Sequence, residues 1–311
     1  MKPYTKNNIF LLMLLIIATG KAIAQQDAMY SQYMVNHFVI NPAYAGSRDA
    51  LSTFLINRNQ WMAIPGAPKT AMLSINAPIG KTNGVGIQAI SDQLGPKQTT
   101  AFLATYSYKL NFKKSNLAFG LRAGTFTHRI DWNKVEFKES SDLFANQGVI
   151  QHTGFNADFG IFYYTRKFFA GLAINHLSNS LKTTQFLPNA NYNQTFIQPH
   201  SFLSLGYTFE LNDKLAFQPS FILRQVDASP VNGDLNFLFI YQQRLFAGLS
   251  LRPDNARVWM LQVYITEKFR IGYSYDNGVN RIVKAGRGAH EIFVGYDFNW
   301  FRNKSFHPRY F

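Results

Sequence analysis

One short pattern in the chain has the spacing of a nucleotide-binding loop. Gly84-Val85-Gly86-Ile87-Gln88-Ala89 matches G-x-G-x-x-A, the glycine pattern that lets a backbone approach a pyrophosphate at a helix N-terminus. Here it lies within an alternating apolar and polar segment, and the residues that follow, Ser91-Asp92-Gln93-Leu94-Gly95-Pro96, do not begin a helix. The pattern therefore predicts strand glycines that pack closely against another element.

A second pattern has residues that bind zinc in other proteins. His290-Glu291 lacks the second histidine of a zinc-binding helix and stands at the start of a predicted strand. The acidic residues between positions 131 and 142 do not follow the order of a calcium-binding loop. The chain contains no cysteine, which excludes disulfides, thiolate metal ligands and thiol nucleophiles. We expect no metal site and no cofactor.

Two groups of residues have the types found in hydrolases. His128 and Asp131 lie near Arg129, and Asp227 lies near Arg224. A histidine beside a carboxylate can act as a general base at the rim of a surface hydrolase, but ordinary hydrogen bonding at a strand end explains the same residues. We therefore expect no catalytic residue and no enzymatic activity.

The elements that carry these residues are strands with a regular alternation. In Asp234-Leu235-Asn236-Phe237-Leu238-Phe239-Ile240-Tyr241, one face carries Leu235, Phe237, Phe239 and Tyr241. Segments of about ten residues with this pattern recur from position 48 onwards. A soluble sheet buries its apolar face, whereas a transmembrane barrel turns it to lipid and lines its lumen with polar or small side chains.

The N-terminus favours the membrane. Residues 1–24 have a basic start at Lys2 and Lys6, an apolar run from Ile9 to Ala18 and an Ala22-Ile23-Ala24 cleavage site, and so predict a signal peptide cut near Ala24. The run is about half of the ~20 residues needed to span a bilayer, and no later stretch of eighteen apolar residues occurs. An exported chain without such a helix can span a membrane only as a closed barrel. The rival reading is a secreted soluble β-sandwich or propeller.

The charge of the chain is strongly basic. The formal net charge is +14, and removal of Lys2, Lys6 and Lys21 with the signal peptide leaves +11. The cations are scattered over strand ends and loops with no Lys/Arg run, so nucleic acid is not an expected partner. We interpret the positive charge as a basic lumen or rim that contacts lipid phosphates or an acidic partner.

The connections between the predicted strands alternate in length. Together with the alternation, these lengths predict an all-β fold: a transmembrane antiparallel barrel of about 14 strands at 48–301. The predicted location is the outer membrane. Connections after even-numbered strands are mostly tight, whereas 130–153, 179–200 and 277–289 follow odd-numbered strands and are long. Short turns belong on the periplasmic rim of such barrels and long loops outside.

The ends of the mature chain differ from the strands. Segment 25–47 lacks strand alternation, and its Asn41-Pro42-Ala43-Tyr44-Ala45-Gly46 has turn chemistry at both ends. Because it precedes the first strand, we expect it at the periplasmic mouth or folded into the lumen as a plug. Residues 302–311 form a C-terminal tail beyond the last strand.

Motifs at both ends resemble a known family. Ser31-Gln32-Tyr33-Met34, the Asn41 to Gly46 motif, Arg58-Asn59-Gln60-Trp61, Pro65-Gly66-Ala67-Pro68-Lys69-Thr70 and Gly288-Ala289-His290-Glu291-Ile292 occur in the order seen in PorP/SprF proteins. These are outer-membrane components of the type IX secretion system and gliding apparatus of Bacteroidota. The motif residues that we take as candidates for partner contacts are Asn41, Pro42, Tyr44, Gly46, Arg58, Trp61, Pro68, His290 and Glu291.

Two of these candidates share the end of the first predicted strand. Arg58 is expected to point inward to lumen carboxylates or a plug, with Trp61 on the other face as an interfacial anchor. Phe54 and Ile56 fall on the Arg58 face, so a solvated Arg58 beside a girdle tryptophan remains the alternative.

The resemblance implies a non-enzymatic barrel that assists secretion or surface attachment of a large adhesin-like protein with a type B C-terminal domain. It also implies contacts with outer-membrane lipid and with periplasmic ring or translocon components. The alternative from another class is a small-molecule channel similar to the long-chain fatty-acid transporters, in which an N-terminal plug occupies the lumen.

Overall fold

The computed structural model describes residues 30–48, 50–139, 148–178, 198–226, 229–252, 256–278 and 286–298. The predicted signal peptide, the tail 302–311 and Asp227 lie outside the described residues. No helix among the described residues is long and apolar enough to cross a membrane.

The described residues form one closed antiparallel barrel of fourteen strands, as predicted. The strands are β1 (Leu51–Gln60), β2 (Lys69–Ile79), β3 (Asn83–Leu94), β4 (Lys97–Asn111), β5 (Ser115–Asp131), β6 (Val149–Thr165), β7 (Phe168–Asn175), β8 (His200–Tyr207, resuming at Phe209–Glu210), β9 (Leu215–Val226), β10 (Asn232–Tyr241), β11 (Leu245–Leu251), β12 (Arg257–Tyr264), β13 (Phe269–Asn277) and β14 (Ala289–Phe298). Each strand pairs with its neighbour in sequence, and β1 pairs with β14 from Leu51↔Phe298 to Gln60↔Ala289. Every strand therefore has partners on both sides, which is what lipid requires of backbone N–H and C=O groups.

The break in β8 has a local cause. The register between β8 and β9 is the same on both sides of it, with Phe209 opposite Phe217 and Gly206 opposite Ser220. Pro219 lies in β9 across from the break and has no N–H to donate to the ladder. The strand thus continues in direction although its pairing is interrupted.

The two faces of the wall are inverted relative to a soluble sheet. Leu121 is 61% exposed on the outside of β5, whereas its neighbour Arg122 is buried on the inside. Likewise Ile292 is 57% exposed and Glu291 is fully buried. Apolar side chains outside and polar ones inside are what a membrane-spanning barrel requires.

The lengths of the connections also follow the sequence pattern. Connections after the even-numbered strands are tight: 80–82, 112–114, 166–167, 211–214, 242–244 and 265–268. The long ones follow odd-numbered strands, at 132–148, 176–199 and 278–288. We call the two ends of the barrel the short-turn rim and the long-loop rim.

One predicted loop was too long. The expected loop 130–153 begins and ends inside strands, because β5 continues to Asp131 and β6 begins at Val149. Their ladder runs without interruption from Ser115↔Thr165 to Asp131↔Val149. Polar residues such as Gln151 and Thr153 hid this extension in the sequence, since a hairpin beyond the lipid no longer needs an apolar outer face.

A charge placed on the outer face tests the membrane assignment. We expect Leu121→Arg to lower the free energy of unfolding in lipid vesicles by ~2–4 kcal/mol, because the guanidinium would face hydrocarbon. Urea titration in vesicles measures this. The control Val231→Arg places the same charge on the long-loop rim and should change stability by no more than about 0.5 kcal/mol. Equal losses for both variants would contradict the assignment.

Candidate functional site

The N-terminal segment fills the lumen. Residues 31–47 are buried except for the half-buried Ile40, and the segment folds into three short 3-10 helices, Gln32–Met34, His37–Val39 and Pro42–Tyr44. We call residues 30–48 the plug. Its side chains form a hydrophobic core with inward residues of the wall, including Phe54, Ile56 and Phe162. This explains why Phe54 and Ile56 share the inner face with Arg58, since the plug supplies them with apolar surface.

The plug crosses the lumen from one rim to the other. At its start, Ser31 contacts Glu291 and Arg58, which lie near the long-loop ends of their strands. At its end, Gly46 N–H donates to Asn76 Oδ1 near the short-turn end of β2, over 3.2 Å. The plug therefore runs antiparallel to β1, and Tyr30 lies at the long-loop rim. The lumen placement agrees with one of the two expected positions, and residues 25–29 lie outside the described residues.

A buried carboxylate holds the first residues of the plug. Glu291 Oε2 accepts from Ser31 N–H at 2.9 Å, and Glu291 Oε1 accepts from Gln32 N–H at 3.0 Å. Arg58 Nη1 donates to the same carboxylate at 3.1 Å and to Ser31 Oγ at 3.0 Å. Arg58 and Glu291 lie opposite each other in the β1–β14 pairing. The ion pair thus joins the closing seam of the barrel to the plug.

Further charged groups extend this cluster around the rim. Arg58 Nη2 also binds Asp276 at 3.2 Å, and Arg252 bridges Asp276 at 2.7 Å and Asp234 at 3.2 Å. Tyr33 of the plug donates its hydroxyl to Asp234 at 2.9 Å. We call Arg58, Arg224, Asp234, Arg252, Asp276 and Glu291 the latch. Its three arginines and three carboxylates neutralise one another, which offsets the cost of burying them.

Arg224 completes the latch by pairing with Asp234. Through these pairs the latch connects β9, β10, β13, β14 and β1 with the residue that follows β11. Because both plug and wall supply groups to it, the latch fixes the plug to several strands at once.

The middle of the plug is held by side-chain amides. Asn41 Oδ1 accepts from Ala43 N–H at 2.9 Å and so caps the third short helix, while Asn41 Nδ2 donates to the carbonyls of Ile161 and Leu172 at 3.0 and 3.1 Å. Gln88 Nε2 donates to Phe38 O at 3.1 Å. These bonds satisfy backbone groups of a segment that has no strand partner.

Glycines in the wall make room for the plug. A Cβ at Gly84 would overlap with the carbonyl of Ala45, one at Gly120 with the backbone of Pro42 and Ala43, and one at Gly160 with Asn41. The prediction that the glycines of 84–89 pack against an element in the lumen is therefore confirmed for Gly84. Gly46 has φ +67° and a backbone contact with Gly84, so a side chain is disfavoured there on both counts.

Aromatic rings of the wall pack against the second and third short helices. The ring of Tyr44 lies 5.4 Å from that of Phe162, and the ring of His37 lies 4.6 Å from that of Phe169.

At the short-turn end, Asp297 accepts from Arg48 at 3.3 Å and from Arg270 at 3.1 Å. The plug is thus fastened along its whole length.

The remaining motif residues lie at the long-loop rim. Trp61 follows β1 with φ +47°, and its N–H donates to Gly288 O at 2.7 Å. Pro68 O accepts from Gln60 N–H at 2.9 Å and closes the connection 61–68. His290 lies on the outer side of the wall, where its Nδ1 contacts Tyr273 Oη at 2.6 Å. His290 and Glu291 therefore face opposite sides.

Among the described residues considered for a hydrolase, His128 and Arg129 lie on opposite faces of β5. His128 is buried and its Nδ1 lies 2.9 Å from Thr99 Oγ1, whereas Arg129 is exposed on the other face. Arg224 pairs with Asp234 within the latch. Within the described residues, no group of three or more His, Asp or Glu side chains is placed to hold a metal ion.

Sequence reasoning missed Asp234, Arg252 and Asp276, and it considered Arg224 only as a neighbour of Asp227. Asp234 and Arg224 belong to the inward face of their strands, where a charged residue in a membrane barrel needs a partner. That periodicity could have identified them as lumen residues, although not as partners of one another.

The family follows from the whole length of the barrel and plug. Residues 22–296 match the family described as "Type IX secretion system membrane protein PorP/SprF". The chain belongs to the PorP/SprF family. Its motifs at the two ends, which lie far apart in the sequence, meet at Arg58, Glu291 and Ser31. No curated protein sequence matches the chain.

The solved structures that match this PorP/SprF protein are distant from it in sequence. A Pseudomonas aeruginosa FadL homologue has 11% identity and a TM-score of 0.48, over 83% of this chain and 93% of that chain. Acinetobacter baumannii Omp33 has 8% identity and a TM-score of 0.45, over 80% and 98%. The monoaromatic hydrocarbon channel CymD has 12% identity and a TM-score of 0.46, over 89% and 95%.

The latch predicts a large effect of one substitution. In this PorP/SprF protein, Arg58→Ala leaves Glu291 buried without its cation, and loss of one partner of a buried pair costs ~3–5 kcal/mol. We expect lower stability to urea in vesicles and less assembled barrel in the outer membrane. The control Arg129→Ala removes an exposed arginine and should change neither. An Arg58→Ala protein that assembles and supports secretion normally would reject a special role of Arg58.

The direction of the plug is testable because the chain has no native cysteine. We expect Tyr30→Cys to react with a membrane-impermeant maleimide on intact cells. The positive control is Met62→Cys, because Met62 is 61% exposed at the long-loop rim. Lys214→Cys in a short turn should react only after the outer membrane is permeabilised. If Tyr30→Cys, like Lys214→Cys, reacted only after the outer membrane is permeabilised, the plug would not cross the lumen.

Proposed function

We propose that this barrel is a non-enzymatic outer-membrane component that assists the secretion or surface attachment of a large adhesin-like protein with a type B C-terminal domain. Membership of the family of type IX secretion membrane proteins supports this proposal at the level of the system. The observation that carries the proposal further is the plug. A lumen filled by seventeen consecutive positions of the chain's own sequence, 31–47, is not a passage for a large protein.

A closed barrel contributes to secretion through its surfaces. The ladder of β5 with β6 runs from Val149 to Thr165 on the β6 side, whereas the ladder of β6 with β7 covers only Phe159 to Tyr164. The β5–β6 hairpin therefore extends past β7 at the long-loop rim. It presents exposed apolar side chains at Val149 and Phe155.

This projecting hairpin suits contact with a folded protein. The connection 132–148, which joins the two strands of the hairpin, and the connection 176–199 are rich in Asn, Gln and aromatic residues. These residues offer hydrogen bonding and stacking with little net charge. Such composition is typical of protein interfaces. We infer that the secreted partner binds at the long-loop rim and that periplasmic components of the secretion system contact the short-turn rim.

Deletion of the gene tests the proposal. We expect one particular large surface protein to disappear from the cell surface, measured by surface proteomics, while other secreted proteins and the uptake of small solutes remain mostly intact. Complementation with the wild-type gene should restore display. Purified protein in planar bilayers should show no steady conductance, since the plug fills the lumen.

A transporter would give the opposite results. If deletion impaired only the uptake of a fatty acid or another small ligand, and the purified barrel conducted that ligand unaided, the partner proposal would be wrong.

A further inference from the structure

The short-turn rim carries an excess of positive charge. Each of the six connections on this rim contains at least one lysine or arginine: Lys81, Lys113, Lys114, Arg166, Lys167, Lys214, Arg244 and Lys268. All are exposed except Lys167, whose side chain is still 40% exposed. The same connections contain only two acidic residues, Asp213 and Glu267. We call these eight cations the collar.

The rest of the described barrel does not share this excess. On the long-loop rim, connections 61–68 and 95–96 carry no charge, and 132–139 carries two lysines beside two glutamates. The described parts of the other long-loop connections add Arg252, which belongs to the latch, and the exposed Arg287. In the lumen, most arginines are matched by acids, as in the latch and in the pair of Arg122 with Asp158, whereas Arg48 and Arg270 share Asp297. Among the described residues, the connections of the short-turn rim thus carry eight cations and two acids, whereas those of the long-loop rim carry four cations and two acids.

One acidic residue partly neutralises the collar. Glu210 at the end of β8 accepts from Lys167 at 2.8 Å and from Arg166 at 3.4 Å. The hydrogen bond to Glu210 raises the pKa of Lys167, which keeps its ammonium group charged. The single carboxylate leaves a net positive charge at this hairpin, because two cations share it.

The height of the collar relative to the membrane identifies its ligand. Apolar side chains continue from the outer face into the turns themselves, where Phe112 is 57%, Leu211 55% and Ile265 56% exposed. Each stands within a few residues of a collar cation: Lys113, Lys214 and Lys268. Since the apolar residues reach the edge of the hydrocarbon, the cations beside them lie at the level of lipid headgroups.

We propose that the collar binds the phosphate groups of anionic phospholipids in the leaflet at the short-turn rim. Turns this short do not extend far beyond the headgroups, so lipid phosphates are within reach of every collar position. Lysine and arginine side chains at an anionic surface attract it electrostatically, and the attraction decreases with ionic strength. Ring-shaped placement lets the collar set the depth and tilt of the barrel against one leaflet.

Lipid binding by the full mature chain tests the proposal. The protein in neutral detergent is titrated with phosphatidylglycerol or with phosphatidylcholine of the same acyl chains, and bound lipid is counted by native mass spectrometry. We expect preferential binding of phosphatidylglycerol that weakens as salt is raised. Each cation near an anionic surface contributes on the order of fivefold in binding constant, so the variant K113Q/K114Q should lose roughly tenfold or more of this preference.

A matched variant separates the collar from total charge. K134Q/K138Q removes two exposed lysines from the long-loop rim and should keep the preference of the wild type. Circular dichroism and heat-modifiable migration establish that both variants form the barrel. Equal binding of the two lipids by the wild type, or equal losses in both variants, would overturn the proposal. If K113Q/K114Q instead kept its lipid preference but lost attachment of a periplasmic protein in cells, the collar would be a docking site for an acidic protein, and the lipid proposal would be wrong.

Discussion

The structure depends on the ion pair between Arg58 and Glu291 and on the backbone N–H groups that share its carboxylate. A charge in the lumen of a membrane barrel cannot stay without partners, and the plug cannot form strand hydrogen bonds with the wall. Glu291 meets both requirements at one point, because it accepts from Arg58 and from the N–H groups of Ser31 and Gln32. The wall and the plug therefore satisfy one another's polar groups at this point.

The architecture was predictable because lipid imposes a simple rule on each strand. Alternation of side chains with period two, together with the sorting of connection lengths, was enough to indicate a barrel of fourteen strands and its two rims. Close glycines such as Gly84 could be identified as packing positions because their pattern fell inside a strand. These properties depend on residues that are near in sequence.

The site itself depends on distances that the sequence does not contain. Arg58 was expected to face inward, but its partners Asp276 and Glu291 lie more than two hundred positions away, and their proximity requires the closing register of β1 with β14. The direction of the plug was not predictable, because a segment that precedes the first strand can fold back along the lumen or remain below it. What decides between these positions is the latch, whose members come from six different parts of the wall.

The plug has a consequence for the order in which the molecule can be made. It lies inside a ring of strands that is sealed where the first strand meets the last, and Glu291, which binds it, belongs to that last strand. A finished ring is open only at its two rims, so a plug that is in place before the final seam forms avoids being threaded through one of them. The last strand to emerge from synthesis would then recognise the plug and the first strand in a single step. On this view the N-terminal segment acts as an internal template around which the wall is completed, and a misplaced plug would hold the seam open for the cell's quality control to detect.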